Sequence, residues 1–417
     1  MTTTKNNEHK KLNVPNKQEQ NQTCLDSAER EGLSPKGNVP NLRFPEFQGE
    51  WSVTTLQKDC IVNPTNEKIA DKFVYVDLES VKQGQLYKYQ ILTKDNAPSR
   101  AQRVLHTDDI LFQCVRPYQM NNYMVKGTMS DIQWVASTGY AQIRTQTDYP
   151  AFLYYVLNTS KYNKAVMVRC TGSSYPAINS EDLSKIPFYK CGIAEQKKIA
   201  DFLFLLDERI ATQNKIIEDL KKLKSAIIEK VYSEIQGKEY SYGQLFDVVN
   251  ERNKQMEYSN ILSASQEKGM VNRDDINLDI QFERSNINTY KIVRKGDYVI
   301  HLRSFQGGFA FSDKLGVCSP AYTILRPNSI LEYGYLSNYF TSQRFIKSLV
   351  LVTYGIRDGR SINVEEWLRM KITIPPKEHQ QYIVKVIGTF ERKIEDEEAY
   401  AAQLSIQKQY LLSQMFV

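Results

Sequence analysis

The sequence predicts an α+β chain in the order globule, long helix, globule, long helix. The two mixed α/β globules are joined by two long helices packed antiparallel as a coiled coil, and an internal repeat relates the halves by a pseudo-two-fold. Three observations predict this. The first is the repeat. Ile178-Asn179, Glu181-Asp182-Leu183 and Lys185 recur 184 residues later as Ile362-Asn363, Glu365-Glu366-Trp367 and Arg369. The offset continues without a gap for about fifty residues, through Gln196 and Gln380, Leu206 and Phe390, Leu220 and Leu404, to Tyr232 and Phe416. The second is an apolar stripe at three- and four-residue steps, sustained for more than five heptads. The third is a set of short β-type runs confined to 39–190 and 238–376.

The elements follow in chain order. Residues 1–38 are polar, rich in Asn, Lys, Gln and Glu, and lack an apolar core, which predicts a disordered tail rather than a leader. The first globule, 39–194, carries Phe73-Val74-Tyr75-Val76, Ile110-Leu111-Phe112 and Tyr140-Ala141-Gln142-Ile143 as strands and a short helix over Phe152–Asn158. The first long helix occupies 195–236. Its stripe is Ile199, Leu203, Leu206, Ile210, Ile217, Leu220, Leu223, Ile227 and Val231, and no Pro or Gly interrupts Ile193 to Gln236. At 1.5 Å per residue it is roughly 60 Å long and needs a partner along most of that length.

The second globule, 237–377, carries Tyr298-Val299-Ile300 and Ala321-Tyr322-Thr323-Ile324-Leu325, with a helix over Gly334–Lys347. Asp109-Ile110-Leu111 and Asp297-Tyr298-Val299 correspond loosely, as do Tyr140 through Arg144 and Tyr322 through Arg326; between them the globules diverge. The second helix, 378–417, opens after Pro375-Pro376. Its stripe includes Ile383, Phe390, Ile394, Leu404 and Leu411 and is weakened by Glu395-Asp396-Glu397-Glu398. The predicted seam between the helices is Leu203, Leu206, Ile210, Ile217, Leu220 and Ile227 against Phe390, Ile394, Leu404 and Leu411. Matched helices beside unlike globules suggest one mechanical task done twice, with each globule contacting something different. Such a chain suits a repeated partner, either two half-sites on duplex DNA or two identical subunits.

Composition narrows the function. Six scattered cysteines never form a CxxC pair and four dispersed histidines (His9, His106, His301, His379) offer no zinc pattern, which predicts reduced thiols in a cytoplasm. No run of eighteen apolar residues occurs, so no membrane span is expected. The net charge of +6 sits mainly in the globules, with 17 basic against 14 acidic residues over 39–194 and 19 against 15 over 237–377. That placement is compatible with phosphate contact and equally with a mildly basic surface. A methyltransferase motif of the Asn/Asp-Pro-Pro-aromatic kind is missing, since Asn63-Pro64 is followed by Thr65. Gly237-Lys238 lacks the upstream glycine of a phosphate-binding loop. Asp108-Asp109 and Asp274-Asp275 read as turn or strand-edge residues rather than metal ligands. No catalytic residue, metal or cofactor of the chain's own is expected.

In this order, with this repeat, the motifs resemble the specificity subunits of type I restriction-modification enzymes, the HsdS family, over nearly everything from Asn38 to Val417. The resemblance rests on Val39-Pro40-Asn41-Leu42-Arg43-Phe44-Pro45-Glu46-Phe47 with Gly49-Glu50-Trp51, on Asp109-Ile110-Leu111-Phe112 with Arg116-Pro117-Tyr118, and on Lys295-Gly296-Asp297-Tyr298-Val299-Ile300. Ser319-Pro320-Ala321-Tyr322 and the helix starts Glu195-Gln196-Lys197-Lys198 and Glu378-His379-Gln380-Gln381 add to it. The sequence departs from the family in its longer tail and in His379, which stands where the repeat would place a second Glu195.

The resemblance implies that each globule is a target recognition domain reading one half of a bipartite double-stranded DNA sequence, with the helices as a spacer. It further implies two modification (methyltransferase) subunits carrying S-adenosylmethionine, and restriction subunits with ATP- and Mg-dependent translocase and nuclease activities, all acting in the cytoplasm. Arg reads guanine bidentately, Asn and Gln read adenine, and Ser, Tyr and Lys hold phosphates. Candidate DNA-binding residues are therefore Arg100, Arg103, Arg116, Tyr118, Asn121, Asn122, Ser173 and Ser174 in the first globule. In the second they are Arg303, Ser304, Gln306, Tyr354, Arg357 and Arg360. Two alternatives stay open: an orphan or phase-variable specificity subunit without restriction, and a coiled-coil scaffold that does not bind DNA.

Overall fold

The computed structural model describes residues 37–65, 67–127, 132–172, 174–265, 268–275, 284–301, 308–354 and 361–417. Of the expected tail only Gly37 and Asn38 fall among them. The chain divides into two compact units, one ending at Ile210 and completed by Gln403–Val417, the other Ala211–Ala402. Each holds one globule and part of both long helices.

In the first unit Ser52–Thr55 pairs antiparallel with Pro187–Lys190. A four-stranded antiparallel sheet follows, in the order Cys60–Val62, Tyr140–Thr145, Ile110–Gln113, Tyr123–Met124. Successive side chains of a strand point to opposite faces. Ile110 and Phe112 accordingly bury against the helix Pro150–Leu157 in one cluster, while Leu111 faces Val76, Ala136 and Tyr140 in another. That second cluster leads into a further sheet, in the order Gln90–Thr93, Lys72–Val76, Gln133–Ser137, Ala101–Val104. Lys72–Val76 and Gln133–Ser137 run parallel there.

The second unit repeats the first sheet. Lys238–Ser241 pairs with Lys371–Ile374, and the strand order is Phe246–Val249, Thr323–Pro327, Tyr298–Ile300, Phe309–Phe311. The register repeats too. Ile110 faces Ile143 in the first sheet as Tyr298 faces Leu325 in the second. Beside this sheet stand a hairpin, Leu262–Ser265 with Gly269–Asn272, and a two-stranded antiparallel pair, Lys291–Val293 with Gly316–Cys318. The loose correspondence expected around Asp109 and Asp297 is thus a shared sheet carrying different neighbours.

The same chemistry locks both copies. Asp109, fully buried, takes a two-pronged contact from Arg144 (2.8 and 2.9 Å), and Asp297 takes one from Arg326 (2.9 and 3.0 Å). Each carboxylate also accepts a backbone N–H three residues earlier, from His106 or Arg294. The hydrogen bonds from Asp109 and Asp297 hold both guanidinium pKa values above their ordinary range. The repeat motif itself is a capped helix. Asn179 accepts from Asp182 N–H to start Ser180–Ser184, and Asn363 accepts from Glu366 N–H to start Val364–Arg369. Leu183 and Trp367 then fill equivalent core positions.

The long helices span Ile193–Ser233 and Lys377–Met415, starting within two residues of expectation, the first ending three residues early. Each start is tied to its globule by a buried glutamine. Gln196 donates to Cys191 O and Asp148 Oδ1 and accepts from Tyr149 N–H. Gln380 donates to Pro375 O and Ile330 O and accepts from Glu332 N–H. Three buried hydrogen bonds per amide explain why this residue type recurs, since losing one strands a buried donor or acceptor.

The helices run antiparallel, and each unit shows it separately. In the first unit Leu203 and Leu206 pack with Leu411, Leu412 and Met415, and Lys408 pairs with Asp207 at 2.5 Å. In the second, Ile217 and Leu220 pack with Ile394 and Ala401, Lys221 pairs with Glu398 and Lys224 with Glu391.

Three expectations need correction. Leu223 lies outside the seam and is 49% exposed, because the seam runs through Lys224 and on to Ile228 and Tyr232, and a neighbouring residue points about 100° away. The acidic stretch does not merely interrupt the second stripe, since Glu397 accepts from buried Gln213. The helix expected over Gly334–Lys347 is a 3-10 turn, Tyr339–Thr341, followed by a helix, Gln343–Ser348. Ser342 is extended there and caps the new helix by accepting from Phe345 N–H.

Candidate nucleic-acid interface

Most of the described candidate residues of the first globule converge on one loop system. Strand Ile110–Gln113 runs into Arg116, a 3-10 turn over Pro117–Gln119, and Met120. Arg116 and Met120 both have left-handed backbones (φ 55° and 52°), which non-glycine residues seldom adopt. Two buried amides hold this shape. Gln113 donates to Val115 O and Gln119 Oε1 and accepts from Asn121 N–H. Asn122 accepts from Gln113 N–H and donates to Asn158. Asn163 fixes the turn by donating to Pro117 O at 3.1 Å.

A second loop lies against the first. Ala177 bridges both Val115 and Thr171, and Arg116 N–H donates to Pro176 O at 2.8 Å. Gly172 (φ 88°) makes the tight turn; a Cβ there would meet Tyr175 O at 3.0 Å. The Arg116 guanidinium sits 4.5 Å from the centroid of the exposed Tyr175 ring. Tyr118 and Ser174 are exposed on the same two loops.

The remaining candidates separate by environment. Arg100 is exposed, next to the strand Ala101–Val104. Arg103, within it, is half-buried. Burial pulls its guanidinium pKa down, and its Nε has no hydrogen-bond partner among the described residues. Asn121 points its Oδ1 at Gln83 N–H. Asn122 is corrected: at 2% exposure, with its amide spent on Gln113 and Asn158, it shapes the loop and offers nothing to a base.

In the second globule, Arg303, Ser304, Gln306, Arg357 and Arg360 lie outside the described residues, as does Ser173 in the first. The backbone flanking them is described. Tyr354 belongs to a two-residue strand whose partner is Ser361–Ile362, at the place where Thr171 bridges Ala177 in the first globule. His301 N–H donates to Gly308 O across the other gap.

Of the seam residues, Leu203, Ile217, Ile394, Leu404 and Leu411 are buried, and Leu206, Ile210, Leu220, Ile227 and Phe390 are half-buried. Sequence reasoning missed Gln113 and left Tyr175 out of the candidate set. Gln113 carried no signal, because a buried amide reads like an exposed one. Tyr175 had one, an aromatic three residues after the turn glycine Gly172. Among the described residues no group of three or more His, Cys, Asp or Glu could hold a metal ion, and no helix is long and apolar enough to cross a membrane.

Comparison with known proteins agrees with this geometry. The family model described as type I restriction modification DNA specificity domain matches twice, over residues 61–222 and 237–405. The chain therefore belongs to the type I restriction-modification DNA specificity family, with one copy of the domain in each half. Members of this family recognise DNA and are not themselves catalytic.

Two solved structures are similar in fold. One is a chain from a structure addressing complex assembly and conformational transition of a type I restriction-modification system. It is 20% identical, with 88% of this chain and 97% of that one covered and a TM-score of 0.56. The other is the S subunit of the type I system of M. genitalium, 15% identical, with 91% and 99% covered and a TM-score of 0.52. No curated protein sequence matches the chain.

Proposed function

We propose that each globule reads one half of a bipartite DNA target and that the paired helices set the number of unread base pairs between the halves. One observation carries this reading. A common sheet, locked by the same buried Asp–Arg pair and hooked to its helix by the same glutamine, bears different outer elements in the two globules. A shared frame with unlike outer parts suits a subunit that must read two different sequences from two equivalent positions. Reading belongs to the loops around Arg116 and Tyr175 in the first globule and to their counterparts in the second. Two modification subunits bring the methyl donor and the methyltransferase site, restriction subunits bring ATP-driven translocation and cleavage, and the assembly works in the cytoplasm.

Adding a matched heptad to both helices, near Lys215 and near Glu395, tests the spacer. Seven helical residues add about 10 Å, close to three base pairs at about 3.4 Å each. Methylated-base sequencing of a host carrying this variant and the partner subunits is expected to show both half-sites unchanged and the gap lengthened. An unaltered gap rejects the spacer. Absence of salt-sensitive duplex binding by the unmodified assembly rejects DNA reading altogether.

A further inference from the structure

We propose that Arg116, braced on Tyr175, is the residue through which the first globule selects a guanine; this rests on the DNA-reading role above. Three independent observations meet at this side chain. The first is its backbone. A left-handed arginine persists only where its surroundings over-determine it, and such sites cluster at ligand contacts. Here the surroundings do so. Arg116 N–H is held by Pro176 O, Gln119 N–H returns to Arg116 O at 3.0 Å, Met120 N–H returns to Pro117 O at 2.9 Å, and buried Gln113 and Asn122 clamp the loop's base. A surface loop with no task has no reason to carry two left-handed non-glycine residues.

The second observation is the guanidinium's position. The guanidinium carbon lies over the Tyr175 ring, itself 64% exposed, 4.5 Å from its centroid. A guanidinium held by a ring is restrained in position while its N–H groups stay available to an acceptor. The third is what that edge lacks. Arg43 and Arg144 in the same globule are spent on two-pronged contacts with Glu195 and Asp109. Arg116 forms no ion pair among the described residues. A planar, oriented donor fork without an acceptor matches the O6 and N7 pair of guanine in the major groove. Restraining it before binding lowers the ordering cost that an arginine held by nothing but solvent would incur.

The test uses the full chain assembled with its modification subunits, methylating a duplex library randomised across the target. In Arg116→Lys the charge stays but the fork is lost. One G·C position in one half-site is expected to lose its preference by roughly fivefold to a hundredfold, while the other half-site is untouched. Tyr175→Phe keeps the stack and is expected to keep the preference; Tyr175→Ala frees the guanidinium and is expected to weaken it at the same position. Arg116→Gly controls for folding, because glycine suits a left-handed backbone. It is expected to melt no lower than the parent while showing the same relaxed position. Unchanged selectivity in Arg116→Lys overturns the proposal. So does, in Arg116→Gly, which removes the charge, a uniform loss of affinity with a salt slope shallower by about one and no relaxed position, the behaviour of a phosphate contact. An unmodified assembly that methylates without sequence preference overturns both this proposal and the reading beneath it.

Discussion

The two globules keep one sheet in common and differ in almost everything laid beside it. In the first, a second four-stranded sheet containing a parallel pair stands on the Leu111 side of the common sheet; in the second, a short hairpin and a separate two-stranded pair stand beside it. The difference reaches the core near the helix starts. Lys190 of the first globule pairs with Asp59 (2.7 Å) and Asp148 (3.3 Å), whereas its repeat partner is the buried Ile374. What stays constant is therefore geometric rather than compositional. Sheet register, a capped turn and a glutamine hook survive, while a charged cluster and an aliphatic contact replace each other. A frame defined by backbone pairing tolerates such exchange so long as each buried polar atom keeps a partner.

The sharpest way to break the comparison is at the repeat motif. Trp367→Ala in the second globule is expected to cost about 3–5 kcal/mol and Leu183→Ala in the first about 2–5 kcal/mol. Denaturant-dependent hydrogen exchange read peptide by peptide separates the two, because Trp367→Ala removes the sole tryptophan of the second unit and fluorescence would then report only Trp51 and Trp134 of the first. If both variants lower both transitions together, the globules do not unfold as separate bodies.

The next test concerns the paired carboxylates. Asp109→Ala strands Arg144 and also removes the acceptor for Gln142 and for His106 N–H. Asp297→Ala leaves Arg326 with Glu251 still 4.0 Å away. Both arginines are about a third exposed, so water offsets part of the loss. Expected costs are about 2–3 kcal/mol for Asp109→Ala, below the roughly 3–5 of a fully buried pair, and less for Asp297→Ala. Equal costs would mean that the Gln142 donor, which Asp109 holds and which has no counterpart on Asp297 among the described residues, counts for nothing.

The smallest effect is a pH dependence confined to the first globule. Burial raises the pKa of Asp59, but hydrogen bonds from Lys190 and Thr54 outweigh it and leave the carboxylate below its ordinary value. A depressed folded pKa contributes stability that is present above about 3.9 and fades as the pH falls through the folded value. Acid is therefore expected to lower the first transition by less than about 1 kcal/mol more in the parent than in Asp59→Asn. The difference should vanish in Lys190→Met, which imitates the second globule.

Much of this was legible because periodicity and repetition survive translation into structure. The 184-residue offset located the paired caps Asn179 and Asn363 and the hooks Gln196 and Gln380 before any coordinate. Helix starts came within two residues because Gly192 and Pro375-Pro376 punctuate them. The phase of the seam was less legible. Leu223 looks like a core residue, but an antiparallel pair admits Gln213 and Lys224 to the seam once Glu397 and Glu391 stand opposite. Asn122 misled for a related reason, since one-dimensional polarity does not tell a side chain that meets a partner from one that completes a turn. The parallel pairing of Phe73–Val76 with Gln133–Ala136 is a long-range choice that no local pattern announces.

One small contact has a dynamic consequence. Leu42 N–H donates to Gln414 O at 2.9 Å, so a carbonyl left over at the end of the last helix is satisfied by a segment that enters the first globule. Chain ends are ordinarily where fraying begins. Here the final helical turn cannot open without releasing the Leu42 amide. The Leu42 amide should therefore exchange its hydrogen at the slow rate of the surrounding core, and a nick beside it would be felt first in the final turn.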